Sequence, residues 1–350
     1  MSLVQYPLKD LELMIAEWGF PKFHASSLQE FIFKKGICDY DKMSSLPKAL
    51  RLKLKESFQV FPLNLVKVED SQDGETKKFL FELTDQKLVE AVLIGSFDRR
   101  TVCVSSQVGC PARCAFCASG KEGLIRNLTR FEIESQVAFI QCYLKDLQQP
   151  AVSQIVFMGM GEPLANLDEV LGAIDLIKDP DRLQISERRI TVSTVGLVEQ
   201  IIKVADRQRQ FHLVLSLHAP NQHIRKKIIP YARKYELCDV LQAMLYFAKK
   251  TKREITYEYT LMAGINDSIQ HASELAKLVD KHPCTVNLIP YNPVVGLKLK
   301  RPEKEVIEAF RDELTKHQIN VTWRYTKGKD IAAACGQLAL QEKNRLQVVS

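Results

Sequence analysis

The sequence predicts an α/β fold: a partial, TIM-like (β/α) barrel with a small N-terminal accessory domain of helices followed by short strands. Three observations carry that expectation. From about residue 101 onward, β-like runs alternate with helical stretches, the pattern of a parallel sheet covered by helices. Polar motifs fall just after those runs, where the active sites of barrels lie. A chain of 350 residues holds one large barrel and a small appended unit.

Residues 1–60 read as helical. Apolar residues recur at helical spacing in LKDLELMIAEWGF, and SSLQEFIFKKG starts with a serine expected to cap a helix that ends at Gly36. From about 61 to 106 the pattern changes to short strands, FLFEL, KLVEAVLIG and TVCVSSQ, set off by the turn-rich EDSQDGE. An accessory domain is therefore expected over 1–95, with the barrel and a C-terminal segment over 96–350. In the barrel the strands are expected at TVCVS, QIVFM, RITVST, FHLVLSL, EITYEYTLM, CTVNLIP and VTWRY. The helices expected between and after them cover 131–147, 167–178, 197–206, 237–250, 268–281 and 302–317.

Hydrophobic residues at 46% and charged residues at 26% exclude a disordered or fibrous chain. No run approaches the roughly 18 apolar residues of a membrane span, and acids interrupt the apolar pattern at the start, unlike a secretory leader. A cytoplasmic protein with no membrane partner is expected. Nine cysteines, an odd number, point to reduced thiols kept for ligation or chemistry. The net charge of +7 is modest, but basic residues cluster at Arg225–Lys227, Lys249–Arg253 and Lys298–Arg301. Such stretches neutralise phosphates or simply form solvated faces.

The sharpest signal is Cys110-Pro-Ala-Arg-Cys114-Ala-Phe-Cys117, directly after a predicted strand. Three thiolates on one short loop can face one iron–sulfur cluster and leave one iron without a protein ligand. A structural zinc site would need a fourth ligand, and none follows at finger spacing; three ordinary buried cysteines are the plainer alternative. After QIVFM comes Gly159-Met160-Gly161-Glu162-Pro163, where glycines allow close approach and the acid can receive an ammonium. Ser193, then Ser216-Leu217-His218, then Asn292 follow later strands and are candidate hydrogen-bonding groups for a cofactor.

A C-x3-C-x2-C loop with Phe116 before its last cysteine resembles the radical S-adenosylmethionine superfamily. The blocks VEAV, CVSSQVGC, FMGMGEPLAN, RRITVSTVGL, LSLHAPN, VNLIPYNP and IAAACGQL, in that order, resemble the RlmN/Cfr-type radical methyltransferases that modify an adenine of 23S rRNA. The resemblance implies a [4Fe–4S] cluster on Cys110, Cys114 and Cys117. It also implies S-adenosylmethionine contacts at Gly161, Glu162, Ser193, Ser216, Leu217, His218 and Asn292, two S-adenosylmethionine molecules per turnover, and an external electron donor.

The catalytic groups it implies are Cys335, which carries the methyl group as S-methylcysteine, Cys103, the resolving thiol, and Glu90, the proton acceptor. Cys103 and Cys335 would then form a transient disulfide, which needs Cα atoms within about 7 Å. Pro163 matches the C2-methylating, RlmN side of the family, whereas the C8-methylating side has alanine there. Ala332 departs from the family, which has an acid at that position. Adenine-C2 methylation of 23S rRNA, with tRNA as a second substrate, is thus the expected activity. C8 methylation of the same base is the alternative, and a metal-stabilised RNA-binding protein without activity is the alternative of another class. Nothing in the sequence demands more than a monomer.

Overall fold

The structure, a computed structural model, describes residues 2–323 and 327–338. The chain opens with helices α1 (Leu8–Glu17) and α2 (His24–Gln29), a π-turn at Glu30–Lys34 and α3 (Lys48–Ser57). Their buried faces, including Leu11, Ile15, Leu28, Ile32, Leu50 and Leu54, join the main core. The serine cap expected at Ser26 and Ser27 is not formed. α2 begins at His24, and both hydroxyls donate to the carbonyl of Phe23 from inside the helix. A buried pair ties this unit to the barrel: Arg182 bonds Glu134 and the carbonyl of Val4, and lies 4.0 Å from the Phe33 ring centre.

β1 (Leu63–Asp70), β2 (Thr76–Leu83) and β3 (Leu88–Ser96) form an antiparallel meander, and β3 pairs antiparallel with β4 (Arg99–Cys103). β1 is missing from the sequence reading, because its burial runs in blocks, exposed from Asn64 to Val66 and half-buried from Lys67 to Glu69, and so leaves no alternating pattern. The expected boundary at 95/96 falls in the β3–β4 hairpin, so one sheet runs across it. The short pair β5 (Gln107–Gly109) and β6 (Leu124–Asn127) brackets the cysteine loop.

Helix and strand then alternate: α4 (Arg130–Asp146), β7 (Gln154–Phe157), α5 (Leu167–Lys178), β8 (Ile190–Thr194), α6 (Val198–Asp206), β9 (His212–Ser216). They continue with α7 (Gln222–Ile228), α8 (Leu237–Thr251), β10 (Ile255–Leu261), α9 (Ile269–Val279), β11 (Cys284–Pro290), α10 (Lys304–Lys316) and β12 (Asn320–Trp323). Within the main sheet every pairing from β4 to β12 is parallel, and the ten-stranded order β1-β2-β3-β4-β7-β8-β9-β10-β11-β12 leaves β1 and β12 as edges. The expected strand VTWRY is seen as far as Trp323, the rest lying outside the described residues.

Side-chain caps start α4, α7 and α9. Thr129 and Glu132 exchange hydrogen bonds at the head of α4, worth about 1 kcal/mol. The strands between the helix layers bury Ile155, Val192, Leu213, Tyr257 and Val286, each stabilising the fold by about 1.5–3 kcal/mol.

A C-terminal strap, residues 327–338, links the two ends of the curved sheet. Lys327 Nζ reaches Glu75 Oε2 at 2.6 Å and the carbonyl of Gly95 at 2.8 Å, and Asp330 Oδ2 accepts from the amide of Gln72 at 2.7 Å. Further along, the carbonyls of Gly336 and Leu338 accept from Ala118 N at 2.8 Å and Ser119 Oγ at 2.6 Å. No described helix is long and apolar enough to cross a membrane.

Candidate active site

The parallel strands point their C-terminal ends at one cavity. Cys110, Cys114 and Cys117 line it with Phe116, Gly161, Glu162, Ser193, Ser216, His218 and Asn292. Residues far apart in sequence therefore converge, because Glu162, Ser193, Ser216, His218 and Asn292 lie at or just past the C-terminal ends of strands of one sheet and the cysteine loop follows β4 and β5. Leu217 does not reach the cavity. Its side chain is fully buried, its amide donates to the carbonyl of Glu258, and its own carbonyl accepts from Arg225.

The cysteine loop is held from three sides. The amides of Cys110, Ala115 and Ala118 donate to the carbonyls of Gly123, Ile228 and Gly336 at 3.0, 2.8 and 2.8 Å. Burial pushes the Cys110 thiol up to about 12 and raises Cys114 and Cys117 as well, with mutual repulsion adding to each. Thiolates crowded in so dry a place require a cationic partner such as a metal. Among the described residues no His, Cys, Asp or Glu cluster closes around a single metal ion. A [4Fe–4S] cluster spreads its thiolates over separate irons, so the three-cysteine loop fits that group and does not fit a closed zinc site.

Gly161 sits at φ +113°, and an added Cβ would lie 2.7 Å from Ser106 Oγ. Gly159 is equally tight, 2.6 Å from the carbonyl of Val104. These glycines let the loop close onto the protein's own backbone, and only through that onto a ligand. Glu162 accepts from the amides of Leu164 at 3.0 Å and Val195 at 2.8 Å. Burial raises its carboxyl to about 7 against those amides. Lone pairs remain on both oxygens for an ammonium.

His218 Nδ1 accepts from the amide of Thr260 at 3.0 Å, and burial, with Arg225 nearby, lowers the ring to about 3. The imidazole is neutral and carries its proton on Nε2. Ser193 Oγ and Ser216 Oγ lie 2.8 Å apart, with Glu258 Oε2 3.4 Å from Ser193. Glu258 and Thr260 also line the cavity and were missed in the sequence, although a glutamate inside the buried run ITYEYTL was the available signal.

Arg225 corrects the charge reading. It is fully buried, donating to the carbonyls of Val195 at 2.6 Å, Leu217 at 3.2 Å and Ser216 at 3.3 Å. It therefore stitches the β8 and β9 loops together and is closed off from the solvent-exposed surface. Lys249, Lys250, Lys252 and Arg253 precede β10 and so lie at the barrel face opposite the cavity. Lys298–Arg301, after β11, belongs to the cavity's face, as do Lys226 and Lys227 on α7 after β9.

A second cavity of about 470 Å³ adjoins the first. Cys103, Thr101, Val156, Met158, Trp323, Lys327 and Cys335 are among its lining residues, and Cys335 and Asn292 line both cavities. Asn292 Nδ2 holds the carbonyl of Cys335 at 3.2 Å. No disulfide joins Cys103 to Cys335, so the implied disulfide is not formed in this state. Glu90 lines neither cavity. It is buried on the same face of β3 as Val92 and Ile94, 3.5 Å from Lys78 Nζ, and Ile94 lines the larger cavity.

Residues 104–276 match the Radical SAM superfamily, and residues 1–60 match the ribosomal RNA large subunit methyltransferase N-terminal domain. The chain is 56% identical over 333 residues to the probable dual-specificity RNA methyltransferase RlmN 2 of Protochlamydia amoebophila, covering 94% of this chain and 93% of that one. It is 42% identical over 342 residues to the probable dual-specificity RNA methyltransferase RlmN of Bacillus licheniformis, covering 98% and 94%. The crystal structure of a radical SAM methyltransferase from Sphaerobacter thermophilus superposes with a TM-score of 0.90 at 39% identity, covering 96% and 98%.

Proposed function

The chain belongs to the dual-specificity RlmN family of radical S-adenosylmethionine RNA methyltransferases, and on that premise we propose that it methylates C2 of an adenosine in 23S rRNA and of an adenosine in tRNA. One observation carries the reading beyond the family: Cys335 lines both the cavity of the three cysteines and the larger cavity that also contains Cys103.

C2 of adenine lies between two ring nitrogens and is too electron-poor to attack a sulfonium methyl. A radical route avoids that difficulty. Cys110, Cys114 and Cys117 would hold the [4Fe–4S] cluster, which when bound supplies the electron that cleaves S-adenosylmethionine to a 5′-deoxyadenosyl radical. Gly161, Glu162, Ser193, Ser216, His218 and Asn292 hold S-adenosylmethionine, Glu162 through its ammonium. Leu217 contributes by fixing the loop from below.

Cys335 first takes a methyl group from one S-adenosylmethionine, and the second S-adenosylmethionine is spent on hydrogen removal from that methyl. The resulting carbon radical adds to C2 of the adenine and links protein to RNA, and the adduct radical gives up one electron, for which the cluster that Cys110, Cys114 and Cys117 would hold is the acceptor. Glu90 accepts the proton lost from the adduct; its burial behind the lining residues means that the proton reaches it through a small shift or a water. The Cys103 thiolate then attacks Cys335 Sγ, forming the disulfide as the carbon–sulfur bond to the product breaks. The enzyme works as a cytoplasmic monomer with electrons from an external donor.

The test is anaerobic reconstitution with iron and sulfide, then incubation with reductant, S-adenosylmethionine and an rRNA fragment. 5′-Deoxyadenosine and 2-methyladenosine should appear together and both vanish in Cys114→Ala. Mass spectrometry finding 8-methyladenosine would overturn the position, and zinc with neither product would overturn the radical reading.

A further inference from the structure

Among the described residues the most exposed large apolar side chain is Phe97, at the tip of the β3–β4 hairpin. A ring held wholly in water contributes nothing to the core, and an isolated surface hydrophobe is unremarkable. What distinguishes Phe97 is its setting. Its turn neighbours Ser96 and Arg99 both line the larger cavity, the one shared by Cys103 and Cys335. The Arg99 side chain is 61% exposed and meets only Asp98, at 3.7 Å, among its described ion pairs.

The hairpin that presents this ring is fixed. Arg100 Nη1 donates to the carbonyls of Ser96 at 2.9 Å and Arg99 at 3.1 Å, and Lys327 Nζ grips the carbonyl of Gly95 at 2.8 Å. Gly95 packs so closely that an added Cβ would lie 3.0 Å from the carbonyl of Glu75. A rigid support with an open aromatic tip loses little entropy when something stacks on it. Trp323 lines the same cavity and supplies a second aromatic, while Lys327 beside the hairpin is paired with Glu75 at 2.6 Å.

We infer that Phe97 and Arg99 form a stacking lip for RNA. Phe97 receives the nucleobase next to the adenosine whose base enters the cavity, and Arg99 receives the phosphate between them. The inference rests on the proposed RNA methylation and adds the contact that opens the strand. A base delivered into a pocket must leave its stack, at a cost of a few kcal/mol. An aromatic side chain restores part of that loss to the neighbouring base, whatever its identity, because every base has a π-face. The exposed guanidinium of Arg99 beside the ring favours a polyanion over an apolar peptide.

The experiment uses the reconstituted full-length enzyme and an RNA stem-loop substrate carrying 2-aminopurine, placed in turn on either side of the target adenosine. One of the two positions should show quenched fluorescence on binding. Phe97→Ala should abolish that quenching and raise the KM for RNA about tenfold, with the loss in KM rather than kcat. Phe97→Trp should restore both. Thermal midpoints of the variants should match wild type, since the ring is outside the core. Arg99→Ala should reduce the slope of log affinity against log salt by about one. A Phe97→Ala enzyme with wild-type KM and wild-type quenching overturns the lip. A wild-type enzyme that methylates no RNA overturns the functional reading itself.

Discussion

The Asn292 side chain donates from Nδ2 to the backbone carbonyl of Cys335 at 3.2 Å, while its Oδ1 is buried without a hydrogen-bond partner among the described residues. An amide that follows β11 thus fastens the strap bearing Cys335 to the rim of the three-cysteine cavity. The unmatched oxygen, costly to bury alone, marks where a ligand donor fits.

Removing either thiol of the larger cavity should stop the reaction at different stages. Cys335→Ala should give neither methylated RNA nor a covalent complex. Cys103→Ala should accumulate a protein–RNA adduct that survives a denaturing gel, because the carbon–sulfur bond is no longer released.

The strap depends on Gln337, whose Nε2 donates to the carbonyl of Pro293 at 2.8 Å and whose Oε1 accepts from the amide of Ala334 at 3.2 Å. Gln337→Ala should slow methylation of Cys335 about tenfold, roughly the 1.4 kcal/mol of misplacing one supporting hydrogen bond. The one-methyl mass gain of the protein reads this directly.

Arg225 should be a stability residue. Arg225→Met leaves three buried carbonyls unmatched and should cost about 3 kcal/mol in chemical denaturation. Arg225→Lys should recover less than half of that, since an ammonium lacks the planar fork.

His218 should make stability pH-dependent. Its folded-state value of about 3 lies below the ordinary 6.5, owing to burial and the Arg225 guanidinium, with Glu258 on the neighbouring strand lining the same cavity. The unfolded chain then binds the extra proton between those values, so stability is complete above pH 6.5 and falls as pH drops toward 3. The slope contributed is at most about 1.4 kcal/mol per pH unit. His218→Gln, compared with wild type by denaturant titration of the apo-protein from pH 7 to 5, should flatten this slope.

Much of the barrel was legible because its strands are short apolar runs between helices of clear period. β1 was not, since its exposed and half-buried residues fall in blocks and do not alternate. The serines at 26 and 27 misled because the helix starts earlier, at a position without a capping side chain. The second cation run lies opposite the cavity for a topological reason, as a helix returning from one barrel face ends at the other.

By itself, the sequence determined the alternation that builds the parallel sheet, the local cysteine loop, and the strand-end positions of Glu162, Ser193, His218 and Asn292. These are properties of short segments, written in period and spacing. Tertiary structure alone decided that Arg225 turns inward, that Glu258 enters the cavity, that Glu90 stays behind its wall, and that Cys335 lines a cavity with Cys103. Those facts depend on how far the sheet curls and where the strap is anchored, and both are set by contacts between segments distant in the chain.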